Sequence, residues 1–216
     1  MSLPTPALVT QRAAQRLPRV PLILLCAAYV LPGVFGRDPW RNADLSAFGL
    51  MLSLAEGRTP WLSPALGAGP VEPALLPHWL GALAIQALPF LDPALAARLP
   101  FAALLAATLA LVWYTTFHLA RTEAAQPVAF AFGGEADPLD YARALADGAL
   151  LALIACLGLL QLGHETTPEL AQLSEVALFG WALAAAPFRA WSVRAAAPLA
   201  LAADRKSTRL NSSHGY

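Results

Sequence analysis

The groups able to do chemistry are concentrated in one stretch of the chain: Arg37-Asp-Pro-Trp-Arg-Asn-Ala-Asp44, then Glu56-Gly-Arg-Thr-Pro-Trp61, then Glu72 and His78-Trp79. A second polar corner, His164-Glu-Thr-Thr-Pro-Glu169, lies far downstream between apolar runs. Carboxylates mixed with arginines suit two tasks. A carboxylate deprotonates a hydroxyl as a general base, and a guanidinium holds phosphate through paired hydrogen bonds. Each residue also has a plainer role. From Leu45 the apolar residues Leu45, Phe48, Leu52 and Ala55 recur at helical spacing, so a short amphipathic helix is expected just after Asp44. Asp44 is then either a base or that helix's N-cap. Asp38, before Pro39, reads as a turn residue, and His78 beside Trp79 as an interfacial belt residue or a ligand. His164, Glu165 and Glu169 read as a solvated corner, an acceptor-binding group or a divalent-ion site. Two carboxylates and one histidine without motif spacing are a weak metal signal. No cofactor is called for, and no metal ligand is assigned.

The elements that must position these groups are apolar. Of 216 residues, 57% are hydrophobic and 13% charged, with mean hydropathy +0.54, about half the charge density of an ordinary soluble domain. The lipid bilayer is the expected partner. Net charge is zero, which leaves no basic field for a nucleic-acid backbone and excludes that class of partner. Cys26 and Cys156 fall inside apolar stretches without a CxxC or Cys/His neighbour, so neither a disulfide framework nor structural zinc is indicated.

Four uncharged or nearly uncharged runs, 20–35, 99–119, 148–163 and 170–188, read as membrane spans. The expected fold class is therefore all-α: a polytopic integral membrane helical bundle of about four transmembrane helices, with amphipathic interfacial helices in a first outer-face loop, 36–97. Arg98 and Arg121 flank the clearest span and are placed to snorkel. Glu175, within the last run, is costly in lipid and is expected to face the bundle interior. The run 74–91 carries Pro77, His78, Gln86 and Pro89. If it lies on the surface, Arg12, Arg16, Arg19, Arg121, Arg143, Arg189 and Arg194 fall inside and Arg37, Arg41, Arg58 and Arg98 outside, as the positive-inside rule requires. It is therefore read as interfacial, with residues 1–19 cytoplasmic. In the segment between Arg121 and Asp147, a turn is expected at Gly133-Gly134 and a helix from Pro138. No Gly-Lys-Ser/Thr follows the glycines, so they form no phosphate loop.

The ordered pattern of the loop resembles the first outer loop of GT-C membrane glycosyltransferases, particularly the family 39 group of aminoarabinose transferase and protein O-mannosyltransferases. The pattern reads Asp44-Leu-Ser-Ala-Phe-Gly, Gly57-Arg-Thr-Pro-Trp61-Leu-Ser-Pro64, Val71-Glu72-Pro-Ala-Leu-Leu-Pro-His78-Trp79 and Ala97-Arg98-Leu-Pro-Phe, while Leu162-Gly-His164-Glu-Thr-Thr-Pro-Glu169 is similar to the polar start of the family's fourth span. The resemblance covers about residues 20–190 through weak motifs. It implies sugar transfer from a polyprenyl-phosphate donor to a lipid or protein acceptor at the outer face of a bacterial inner membrane. Asp44 then corresponds to the catalytic acidic residue, and Glu72 and Trp79 to positions lining the site. Two departures stand out: Leu45 replaces a second acidic residue, and Pro73 a lysine. The donor phosphate then falls to Arg37, Arg41 and Arg58, and the acceptor side to His164, Glu165 and Glu169.

A transporter or lipid-handling protein without catalysis is the chief rival, and a small anchor or assembly subunit a third reading. A transporter places its substrate groups near the bilayer midplane, whereas here the acidic and aromatic residues cluster outside the spans. The stretch 205–216 holds the only lysine, Lys206, and breaks from the Ala/Leu/Pro/Arg text before it. It resembles translated sequencing-adapter read-through and is expected to be a non-native tail. The membrane-embedded part, 20–204, is then expected to be an N-terminal fragment, inactive alone.

Overall fold

The computed structural model describes residues 7–35 and 38–188, so Arg37, Arg189, Arg194 and the expected tail at 205–216 lie outside the described residues. Among the described residues are seven α-helices and no strand: α1 (Arg19–Val30), α2 (Asn42–Ala55), α3 (Leu75–Ala87), α4 (Pro93–Ala120), α5 (Pro138–Ile154), α6 (Leu157–Leu162) and α7 (Pro168–Ala185). Three starts share one local rule. Asp92, Asp137 and Thr167 hold extended or near-extended backbone just before a proline at the first helical position, where a missing N–H costs nothing. Asp92 accepts from the amides of Ala94 and Leu95, and Asp137 from those of Leu139 and Asp140.

The long α4 is the central element. Ala97, Phe101, Leu105 and Leu109 recur every four residues and form a buried stripe, with Met51, Leu150, Leu159 and Leu170 from α2, α5, α6 and α7 packed in the same cluster. α7 lies along α4 through small residues, among them buried Ala171, Ala182 and Ala185, which let the two backbones approach closely. The Thr108 and Ser174 hydroxyls, 2.8 Å apart, join them inside that apolar contact. α2 and α3 pack on one another and on α4, with Gly81 facing Met51, where a Cβ would overlap the methionine side chain.

The four-span expectation is corrected. Only α4, among the described residues, is long and apolar enough to cross a membrane. α1 has 12 residues, about 18 Å at 1.5 Å per residue, short of a hydrocarbon core of about 30 Å. The run 148–163 is not one helix. Its first part is the end of α5, which starts back at Pro138, and the chain breaks at Ala155–Cys156 before the six-residue α6. α7 has the length, 18 residues, but Glu169, Gln172 and Glu175 dilute its apolar character. Helix ends are set by caps and breaks, so uninterrupted apolar strings overcounted the spans. Arg98 is likewise not at a helix end. It sits six positions after the N-cap Asp92, 5% exposed. At the other end, Arg121 caps α4 and stacks over Phe117 and Phe188, the latter 4.7 Å away.

The segment before α1 is laced to the α4–α5 connection. The Leu17 amide and the Trp113 indole both donate to the buried carboxylate of Asp147, at 2.9 and 2.8 Å. Gln11 reaches Asp140 and the Asp137 amide, and Thr10 bridges Glu135. The turn at Gly133-Gly134 has positive φ at both glycines.

Candidate functional site

At the opposite end of α4, residues distant in sequence meet. α2 begins at Asn42 with Arg41 as its N-cap, so Asp44 lies inside the first turn and is not the N-cap. The buried face of α2 is Asp44, Ala47, Met51 and Leu54, while Leu45 of the expected apolar stripe is 47% exposed. This one-position rotation turns Asp44 inward.

Asp44 is 1% exposed. Its Oδ1 accepts from the Thr166 amide at 2.9 Å and from the Thr166 hydroxyl at 2.7 Å, across 122 residues of chain. Thr166 immediately precedes Thr167, the N-cap of α7, so the carboxylate lies beside the positive end of that helix dipole. Two donors on one oxygen orient the carboxylate. Glu165, 2% exposed, pairs with Arg41, whose Nη1 is 3.6 Å from Oε1. With the Gln161 amide turned so that its oxygen faces the guanidinium, Arg41 also donates to Gln161, and it lies 5.0 Å over the Trp40 ring.

His164 fastens the corner to α1. Its Nδ1 lies 2.8 Å from the Leu160 carbonyl and its Nε2 2.8 Å from the Tyr29 carbonyl. Both partners are acceptors, so both contacts are hydrogen bonds only when both ring nitrogens carry protons. In this arrangement neither nitrogen is available to ligate a metal. The imidazole lies against Gly33, where a Cβ would overlap the ring. Tyr29 and His164 rings are 5.5 Å apart. Buried Arg98, with Gly33, His164 and Thr166, lines a cavity of about 10 Å³, about the space of one water molecule. The Thr167 hydroxyl and Glu165 Oε1 are buried without a hydrogen-bond partner among the described residues.

Of the residues singled out in the sequence, Asp44, Arg41, His164 and Glu165 therefore share one site. Glu169 is exposed on the first turn of α7, beside the corner. Arg58 is elsewhere, just past the end of α2 and about 17 Å along that helix from Asp44. α3 runs in the same direction as α2, with Gly81 against Met51 and Gln86 donating to the Ala55 carbonyl, and neither Glu72 nor Trp79 is hydrogen-bonded to Asp44 among the described residues. Arg58 pairs with Glu56 on the surface. Glu72 accepts from the Ala74 amide at 2.9 Å, and the Trp79 indole donates to the Trp61 carbonyl at 2.8 Å. His78 is 2% exposed with Nδ1 2.6 Å from the Ala74 carbonyl, which makes it a packed residue of α3. Among the described residues no group of three or more His, Cys, Asp or Glu is placed to hold a metal ion.

Sequence reading passed over Thr166, Gly33 and Arg98 as site residues. Thr166 stood inside a quoted motif, but a threonine before Thr-Pro reads as helix-start punctuation. Arg98 was placed at a span end, and only the earlier start of α4 puts it inside. Compared with protein-family models, curated proteins and solved structures, the chain matches none.

Proposed function

We propose that this chain carries the acid–base centre of a membrane glycosyltransferase, moving a sugar from a polyprenyl-phosphate donor to the hydroxyl or amine of a lipid or protein acceptor at the outer face of the membrane. The observation that carries the reading is the pair of hydrogen bonds from Thr166 to Asp44. The loop aspartate and the polar corner were picked out separately in the sequence, and they meet in one site. Asp44 is the base: with Oδ1 held by Thr166, the carboxylate is oriented to take the acceptor's proton as its oxygen or nitrogen attacks the sugar carbon. The bond from that carbon to phosphate oxygen breaks, and the phosphate leaves as an anion. Arg41, part-exposed at this end of α4 and set beside Glu165, is the cation that neutralises it. Arg58 is too distant for that task, and Arg37 lies outside the described residues. α4 holds the chain in the bilayer. At 1% exposure, Asp44 reaches an acceptor only after part of its cover moves aside.

That same burial favours a second reading, in which Asp44 is a structural tie in a non-catalytic membrane protein such as a transporter or lipid-handling protein. Sugar transfer by the complete gene product, wild type against Asp44→Asn, separates the two. A base predicts loss of turnover with the fold retained. A tie predicts lower stability with turnover per folded molecule unchanged, or no transfer at all.

A further inference from the structure

Beside the site, and independent of the reading above, a groove of about 670 Å³ runs between α1 and α4, within the size range of small-molecule sites. Its two ends differ in chemistry. Leu17 and Trp113 share the Asp147 carboxylate, so the start of α1 lies beside Trp113, and Arg19, Trp113 and Tyr114 line that end. Val30 packs in one cluster with Phe101 and Leu105, so the end of α1 lies beside the first half of α4, where the walls are Val30, Leu31 and Ala106. Arg19 is exposed and forms no ion pair among the described residues. The outer face of α1 is apolar as well, with Val20 67%, Ile23 65% and Leu24 62% exposed. A helix that is apolar on both faces belongs in an apolar medium.

We propose that this groove binds one anionic membrane phospholipid, its phosphate on Arg19 between the Trp113 and Tyr114 rings and one acyl chain laid along α1 towards Ala106 and Val30. Three features match that ligand: an apolar trench between two helices and, together at one end of it, a cation that forms no ion pair among the described residues and aromatic rings of the kind found at bilayer interfaces. The head end lies about 22 Å along α4 from Arg98, so this lipid is not the sugar donor at Asp44. It fills the gap between α1 and the rest of the bundle.

The test is lipid retention. The chain is reconstituted into nanodiscs of phosphatidylglycerol or of phosphatidylcholine, extracted in mild detergent, and weighed by native mass spectrometry. One phosphatidylglycerol retained per chain is expected, with weaker retention of phosphatidylcholine. Arg19→Gln, a surface change with no bearing on folding, is expected to cut the preference for the anionic lipid about five-fold, the worth of one basic side chain at a lipid surface. Ala106→Phe/Ala110→Trp fills the trench and is expected to abolish retention of both lipids, with helical content by circular dichroism unchanged. Arg58→Gln serves as the control and changes nothing. Equal retention of the two lipids by the wild type, or an unaltered preference in Arg19→Gln, overturns the proposal. So does a lipid-free wild type that runs as a dimer or whose groove cross-links to the segment after α7.

Discussion

Removing the acceptor at Asp44 is the perturbation with the clearest expected size. Thr166 places an N–H and an O–H on one buried carboxylate oxygen, at 2.9 and 2.7 Å, and a hydrogen bond to a charged group contributes about 1.5–3 kcal/mol. Asp44→Ala leaves both Thr166 donors buried without an acceptor, each at a cost of about 1–3 kcal/mol, so a total near 3–5 kcal/mol is expected. In a chain of this size each kcal/mol moves Tm by about 2–4 °C, which puts the drop at roughly 6–20 °C. Thr166→Val removes only the hydroxyl, and about 1.5–3 kcal/mol is expected. The double variant must cost less than the sum, with a coupling energy of about 1–3 kcal/mol. Denaturant unfolding of the four proteins in one mild detergent, followed by tryptophan fluorescence, supplies the cycle. An Asp44→Ala protein within about 0.5 kcal/mol of wild type, or strictly additive variants, would refute the placement of the carboxylate.

Three further outcomes follow from the same contacts. Gly33→Ala drives a methyl into the His164 ring and is expected to cost about 1–3 kcal/mol as overpacking, with faster amide exchange at Glu165 and Thr166; unchanged exchange there would contradict the contact. Trp113→Phe removes one of the two donors on Asp147 and is expected to cost about 1–2 kcal/mol. It should also free the segment before α1, seen as faster cleavage by trypsin at Arg12 and Arg16. Arg58→Ala breaks a pair whose side chains are 59% and 49% exposed. Its effect should stay within about 0.5 kcal/mol, with sugar transfer intact; a loss of transfer would return Arg58 to the site.

How far the sequence carried the fold depends on which signal was used. The long apolar run after Arg98 became the core of α4, because nothing interrupts it before Arg121. The caps at Asp92-Pro93, Asp137-Pro138 and Thr167-Pro168 mark the true helix starts. The start at Pro138 was legible, but not that this helix runs on into the stretch read as a separate span from 148, and giving the Asp92 cap the weight of the hydropathy would have moved α4 back to its observed start. The break at Ala155–Cys156 has no glycine or proline at it, and nothing local announces it. For α2 the hydropathy stripe pointed to Leu45, Phe48 and Leu52, one position away from the buried face. A buried aspartate is invisible to such a stripe, since its burial is explained only by Thr166, 122 residues away. The site was legible as two separate polar motifs. Their meeting was not, nor was the separation of Arg58 from Asp44, which follows from the length of α2.

The most direct test of the central claim is transfer of a radiolabelled sugar from a polyprenyl-phosphate donor to extractable lipid and protein, measured in membranes carrying the complete gene product as wild type or Asp44→Asn at matched folded levels. The account predicts transfer by the wild type and a loss of about 10²-fold or more in the variant, the typical worth of a general base. Equal transfer by the two proteins would contradict it, and so would a folded wild type that transfers nothing.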